Sequence, residues 1–330
     1  MEWPRWQMTV VGWLLMVMGL STGCIRKADS TQGSLSSGTT STLVGSTATV
    51  IVIDGSSTVY PISQGLAEAF RRSHPEIDIT VGLSGTTAGF KKFLVRELDL
   101  CGASRPIRDS EKKLAEERGI EYLELAIAID ALTVVVNPAN DWAHCLSVAE
   151  LKRIWEPNSQ VQMWSDIRPE WPQEKIELYG ADPDSGTFDY FTEAIVGEAR
   201  KTRTDYTGNA NDNILVHGVA EGKYALGYFG YGYYRDNEQR LKAVAIRAQE
   251  DGECVLPNAD NVRAGKYVPL ARPLFLYATR ESLKRSEVQN FLRFALSDEG
   301  QRVVEQRKFL PLQSDLREEM QQRLEQALSQ

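Results

Sequence analysis

The amino-acid sequence predicts an α/β fold built around a mostly parallel sheet. Three observations lead there. Short β-rich runs alternate with segments of helical periodicity, and several of those runs end in turns rich in Gly, Ser and Thr that open into the next helix. The chain of 330 residues is also long enough for two domains with sizeable cores. A content of 42% apolar and 25% charged residues places it among ordinary globular proteins. The formal net charge of −8 argues against a general nucleic-acid binder, which would show a basic excess. Any anion held by this chain is therefore held locally, chiefly by fixed dipoles and against the mean field.

The first residues read as a targeting segment. Arg5 precedes an apolar run that ends at Leu20, too short to span a membrane and the right length for a signal-peptide core. Ser21, Thr22 and Gly23 then precede Cys24, a pattern similar to a bacterial lipoprotein cleavage site with Cys24 as the lipidated residue. It departs from that pattern in having Ser21 where Leu is usual, so plain cleavage and an uncleaved anchor stand beside lipidation. Residues 1–24 are assigned to this segment. Residues 25–48 follow as a Ser/Thr/Gly-rich tether with almost no apolar content. A tether between an anchor and a folded body suits the outer side of the cytoplasmic membrane.

The body opens with a strand over Thr49–Ile53 and a helix over Thr58–Ser73, stopped by His74 and Pro75. A strand at Ile77–Val81 and a helix at Thr87–Glu97 follow, the latter with Phe90, Phe93 and Leu94 on one face. Leu98–Cys101 reads as strand, Asp109–Glu117 as helix and Tyr122–Ile129 as strand. Ala131–Pro138 is a separate β-rich run. Beyond it come a helix at Ser147–Trp155, a strand at Lys175–Tyr179, helices at Thr187–Val196 and Asn213–Ala220, and a strand at Tyr224–Phe229. The aromatic run Tyr228–Tyr234 reads as strand and packing. Tyr267–Arg280 is another β-run, and helices at Ser286–Leu296 and Glu299–Gln306 follow. Ser314–Gln330 is a charged amphipathic helix expected to pack on its own domain. Apart from Cys24 the cysteines are Cys101, Cys145 and Cys254, with no CxxC spacing and hence no support for zinc. Export permits one disulfide, Cys145–Cys254 being the expected pair, and Cys101 reads as a buried thiol.

Four turns carry the chemistry. "DGSSTVYPI" places Ser56, Ser57 and Thr58 between the first strand and helix. "GLSGTTAGF" places Ser84 with Gly85, Thr86 and Thr87 after the second strand. "GASRPI" ends the third strand with Ser104 and Arg105, and "DPDSGTFDYF" brings Asp184, Ser185, Gly186 and Thr187 to a helix start in the second half. Taken singly, each is explained by ordinary helix capping and turn chemistry. Together they put N–H and O–H donors with one guanidinium beyond the carboxyl ends of strands, where open α/β sheets bind ligands. That inventory suits an oxyanion at helix N-termini, and Ser56–Thr58 then reads as a cap enlarged to hold it.

These motifs, with "DNILVHGV" and "YALGYFGYGYY", resemble in order the phosphate-binding protein of bacterial phosphate ABC transporters, from about Ile53 to Pro311. The resemblance implies a type II periplasmic-binding-protein fold, an α/β architecture of two lobes with a ligand cleft between them. Lobe 1 would comprise residues 49–132 and 275–330, and lobe 2 residues 133–274, with crossovers at Ala131–Val136 and Pro273–Tyr277. It implies a non-enzymatic, monomeric solute-binding protein that needs no cofactor, metal or nucleic acid. Such a protein takes inorganic phosphate outside the cytoplasmic membrane and docks on a permease. The implied ligand set is Ser56, Ser57, Thr58, Ser84, Ser104, Arg105, Asp184, Ser185, Gly186 and Thr187. Where the best-known branch has Asp after the third-loop Ser and Arg before the last loop, this chain has Arg105 and Ala181, so Asp184 is the carboxylate that would restore the pair. A carboxylate accepts a hydrogen bond from protonated phosphate but repels sulfate; its competing role is to cap the Thr187 helix. Arg105 likewise reads either as the central cation or as a partner of Asp109. Asp54 reads as a turn former, and Asp212 and Asn213 as caps. A sensor outside transport, a binder of another oxyanion and a secreted phosphatase are the alternatives. The last lacks a nucleophile–base pair, since His74, His144 and His217 lie in unrelated contexts.

Overall fold

The computed structural model describes residues 49–329 other than 184 and 210. The targeting segment with Cys24, the tether and Asp184 lie outside the described residues. The strands are β1 (Thr49–Gly55), β2 (Ile77–Val81), β3 (Leu100–Ala103), β4 (Tyr122–Val136), β5 (Cys145–Ser147), β6 (Glu177–Ala181), β7 (Thr207–Asn209), β8 (Ala225–Gly230), β9 (Lys242–Ala243), β10 (Ala245–Arg247) and β11 (Ala271–Thr279). The α-helices are α1 (Tyr60–Phe70), α2 (Thr86–Phe93), α3 (Asp109–Glu117), α4 (Val148–Trp155), α5 (Gly186–Phe191), α6 (Asp212–Glu221), α7 (Tyr231–Asp236), α8 (Ala259–Arg263), α9 (Ser286–Ala295), α10 (Asp298–Gln306) and α11 (Ser314–Leu328).

The main sheet runs in the order β2-β1-β3-β11-β4-β8-β6-β7, with β9 also on β4. Its two ends are parallel blocks, β2-β1-β3 and β8-β6-β7, as expected for strands separated by helices. Between them β11 and β4 pair antiparallel from Ala271↔Ala131 to Thr279↔Tyr122, with an irregularity between Leu274 and Phe275. The result is a two-lobed α/β fold whose halves share β4. That strand pairs with β11 up to Ala131 and with β8 from Leu132 onward.

One expectation is corrected here. Tyr122–Ile129 and Ala131–Val136 are not two strands but one of 15 residues. Asp130 looked like an interruption in an apolar run. It stays in the strand because Arg272 lies directly opposite it on β11 and supplies the opposite charge. The segment read as strand to Tyr234 instead turns helical at Tyr231, in α7. The helix expected at Thr187–Val196 is α5 continued by a π-helical stretch, Thr192–Val196, that ends at Gly197 in the left-handed region. The short strands β5, β7, β9 and β10 and the helix α8 were not anticipated; each spans only two to five residues.

The core is mostly aliphatic and aromatic, with Phe70, Phe90, Phe93, Trp155, Phe191 and Tyr277 fully buried. The C-terminal helix α11 buries Met320 and Leu324 and lies on β4, as its amphipathic pattern predicted. Its Met320 Sδ accepts a hydrogen bond from the Ala126 N–H. No helix among the described residues is long and apolar enough to cross a membrane. Cys145 and Cys254 form a disulfide across 109 positions, tying the start of β5 to the segment after β10, and Cys101 is a buried free thiol. Burial pushes that thiol's pKa up, so it stays neutral and inert.

Closing a loop of this length restricts the unfolded chain by an amount corresponding to roughly 4.7 kcal/mol in the chain-entropy limit, and removal of a native disulfide is expected to cost about 2–5 kcal/mol. The Cys145→Ala/Cys254→Ala variant should therefore unfold at distinctly lower denaturant than the wild type, and the wild type should lose the difference on reduction.

Candidate functional site

The turns after β1, β2 and β3 are tied together by their backbones. Ser56 N donates to Gly102 O at 2.8 Å, Gly85 N to Gly55 O at 2.7 Å, and Gly82 N to Ile53 O at 2.8 Å. Gly55 is required at this junction. Its φ is +138°, and a Cβ there would stand 2.1 Å from Gly102 O. Asp54 braces the same junction, accepting from Gly55 N at 2.6 Å and from Lys92 Nζ of α2. Burial pushes its carboxyl pKa up, but those bonds and the nearby Ser84 outweigh burial and hold it below the usual value. Asp54 is thus a turn-former, as expected.

The hydroxyls of the first turn do not cap α1. The helix begins only at Tyr60, its N-cap position is Val59, and no side chain caps it. Pro61, in the first turn of that helix, has no N–H to satisfy. Ser56 Oγ instead accepts from Thr58 N at 3.2 Å, shaping the loop, while Ser57 stays half-buried ahead of the helix. Helix α2 also starts without a side-chain cap, from Gly85. Its first-turn N–H groups lie at the positive pole of the helix and have no intrahelical acceptor. Beside it Thr86 and Ser104 share a hydroxyl–hydroxyl bond of 3.1 Å, and Ser84 Oγ is buried without a hydrogen-bond partner of normal geometry.

Arg105 pairs with Glu111, not with Asp109. Its Nη1 and Nη2 each reach a Glu111 carboxylate oxygen at 2.8 Å, its Nη2 reaches Thr87 Oγ1 at 3.3 Å, and its guanidinium lies over the Phe90 ring. Glu111 also accepts from Arg108 N at the start of α3, which fixes it in place; Asp109 is exposed and pairs with Lys112. Burial works to raise the Glu111 pKa, but Arg105 and the Arg108 N–H prevail and hold it below the ordinary range.

From the second lobe, Ser185 caps α5 by accepting from Phe188 N at 3.0 Å, and it keeps its own hydroxyl hydrogen to donate. Gly186 next to it touches the first turn directly. A Cβ on Gly186 would stand 2.7 Å from Thr58 Oγ1 and 2.9 Å from Ser57 Oγ. Ser57, Thr58 and Gly186 are therefore together, and backbone bonds join them to the Ser84, Ser104 and Arg105 turns. Thr187 is half-buried in the first turn of α5. Asp184 lies outside the described residues.

Three further groups belong here that the sequence analysis missed. Arg272 on β11 donates from Nη2 to Thr58 Oγ1 at 3.2 Å and from Nε to Asp130 at 3.4 Å, and its guanidinium lies 3.5 Å from the Tyr190 ring centroid. Burial drives the Asp130 pKa up and Arg272 opposes the rise. Tyr190 Oη donates to Pro269 O at 2.8 Å. Each of the two charges is alone in an apolar β-run, which is the signal that could have drawn attention to them. Asp212 and Asn213 are the first residues of α6 and not its cap, which is Asn211, whose Oδ1 accepts from Asn213 N; burial raises the Asp212 pKa to about 6, against a bond from Gly230. His74 stacks on Phe70. Among the described residues no cluster of His, Cys, Asp or Glu could hold a metal. A cavity of about 600 Å³ beside Cys254 and Lys242 involves none of the site residues.

A model of the PBP superfamily domain matches residues 38–299. The phosphate-binding protein PstS of Staphylococcus haemolyticus is 39% identical over 248 residues, covering 75% of this chain and 76% of its own length. The chain belongs to the PstS-like phosphate-binding proteins. Protein SphX of Synechococcus elongatus is 40% identical over 265 residues, 80% of this chain and 77% of its own. Among solved structures, a possible phosphate binding protein from Planctomyces limnophilus is 52% identical, with a TM-score of 0.81 over 84% of this chain and 98% of its own. The two-lobed architecture and the order of the loop motifs in this family member agree with that placement.

Two outcomes follow from the geometry. Gly186→Ala would force the α5 start away from Ser57 and Thr58, so it should weaken anion binding by about tenfold or more, roughly 1.4 kcal/mol or above, with little change in the melting temperature of the ligand-free protein. The depressed pKa values of Asp54 and Glu111 mean that the unfolded chain binds more protons than the folded one near pH 4. Their stabilisation is full above the ordinary carboxylate range and is lost as pH falls from that range through the lower values of the folded state. Glu111→Gln should flatten the fall of the urea midpoint between about pH 5 and pH 3.

Proposed function

We propose that this protein captures inorganic phosphate between its lobes and delivers it to the membrane permease of an ABC transporter. The observation that carries this reading is the contact of Gly186 with Ser57 and Thr58. It brings the hydroxyl loop of the second lobe against that of the first, beside the uncapped start of α2. Membership of the PstS-like family supports phosphate as the anion. The proposed ligand set is Ser56, Ser57, Thr58, Ser84, Ser104, Arg105, Asp184, Ser185, Gly186 and Thr187. Thr86 and Thr87 link Ser104 and Arg105 to α2.

In this reading hydroxyls and backbone N–H groups do most of the holding. Thr58 and Ser185 use their oxygens as acceptors within the protein, which directs their hydroxyl hydrogens outward. Hydrogen bonds to a charged group contribute roughly 1.5–3 kcal/mol each, so a handful of them suffices against a distant and screened net charge of −8. Asp184 sets the preference for protonated phosphate over sulfate. The change of pairing partner at Ala131/Leu132 on β4 supports lobe limits at 49–132 with 275–330, and 133–274. The disulfide fits an oxidising compartment outside the cytoplasmic membrane, and the targeting segment with Cys24 supplies the route and a lipid anchor there. We take the protein to act as a monomer and without turnover of its ligand.

Calorimetric titration of residues 49–330, stripped of co-purified ligand, tests the proposal. Tight one-to-one binding of phosphate with sulfate silent is expected, and no release of phosphate from a chromogenic phosphate ester. A folded, stripped protein that does not bind phosphate would refute it. Asp184→Asn should narrow the phosphate-to-sulfate affinity ratio; an unchanged ratio would remove Asp184 from the selectivity role.

A further inference from the structure

Arg272 has more contacts than its strand requires. A guanidinium inside an apolar β-run needs an opposite charge, and Asp130 meets that need through Nε alone. The side chain is 15% exposed and goes on to touch both lobes. Its Nη2 donates to Thr58 Oγ1 in the turn after β1, and its Cζ lies over the Tyr190 ring in α5. No protein partner is seen for Nη1 among the described residues. The Tyr190 hydroxyl is bonded to Pro269 O, three residues ahead of Arg272. Ring and guanidinium are thus held by the same stretch of chain; the ion pair with Asp130 stays within the β4–β11 ladder that joins the lobes, and the bond to Thr58 reaches from that ladder to the first-lobe turn.

We infer that Arg272 is the positioning residue that holds the lobes closed over the bound anion. Asp130 and Tyr190 pre-orient the guanidinium. Thr58 is its target, and the same Thr58 stands against Gly186. Opening the cleft separates Arg272 from Thr58, so the strength of that contact is expressed in how long the anion stays. Asp130 neutralises the charge, which keeps Arg272 from acting as a general attractor of anions when the cleft is open. The planar, stackable guanidinium is what the place demands, and an ammonium would keep the charge without the stack.

This inference rests on the phosphate-binding reading, and one experiment separates the two. Rates of phosphate association and release are measured by rapid mixing for the wild type, Arg272→Lys, Thr58→Val and the double variant, together with melting temperatures of the stripped and phosphate-loaded proteins. Arg272→Lys keeps a cation opposite Asp130 and so retains the fold. Its release rate should rise about tenfold or more while association changes by less than about threefold, since differences among variants of one interface fall mainly on dissociation. The melting temperature of the stripped protein should stay within a few degrees, and the upward shift given by phosphate should shrink. The double variant should release phosphate no faster than the worse single variant, because both residues act through one contact. Wild-type release from Arg272→Lys, an equal loss of melting temperature with and without phosphate, or additive effects in the double variant would overturn the inference while leaving the function intact. A wild type that binds no phosphate would overturn both.

Discussion

Antiparallel pairing of β4 with β11 is the constraint from which the rest of the molecule is built. β4 pairs with strands of both lobes and β11 with β3 and β4, and a parallel block lies on either side of the pair. The pairing also settles a charge problem. Asp130 and Arg272 face each other in register among apolar residues, and Asp130 without Arg272 would be a buried, uncompensated ion. Strand ends, hydroxyl turns and helix starts take their positions from this central ladder, so the site is a product of sheet topology before it is a product of loop sequence.

The charges around the site come largely already matched. Lys92 meets Asp54, Arg105 meets Glu111, and Arg272 meets Asp130. What remains for a ligand is a set of oriented dipoles: hydroxyls with their acceptor sides occupied, and helix starts without caps. Such a set costs little to reorganise when an anion arrives, because the donors are held by bonds already made.

Much of this was readable in the sequence. Strand and helix alternate as the periodicities implied, the four hydroxyl turns fall at strand ends, and Cys145 and Cys254 pair. What the sequence did not show has a common physical cause, which is distance along the chain. Asp130 and Arg272 are 142 positions apart, and nothing local announces that one excuses the other. Without that knowledge Asp130 reads as a break in a strand. Arg105 was legible as a cation in need of a partner, but Asp109 is nearer in sequence than Glu111, which stands six positions away. The choice between them depends on how α3 is capped. The start of α1 was missed by two residues because Ser and Thr are good caps in general, whereas here Ser56 bonds within the loop and Val59 takes the cap position.

The irregularity in β11 leaves its mark on β4 at Ile127, a position with no counterpart in the register. Its carbonyl oxygen is taken by Gln301 of α10, and the N–H of Ala126 beside it by Met320 of α11. The groups that complete this central strand therefore come from the last tenth of the polypeptide. During synthesis β4 is made well before β11, α10 or α11 exist, so neither its pairing nor its backbone can be completed until nearly the whole chain is available. The first lobe cannot finish assembling ahead of the second. The last tenth of the chain thus decides when the central strand, and with it the first lobe, is complete.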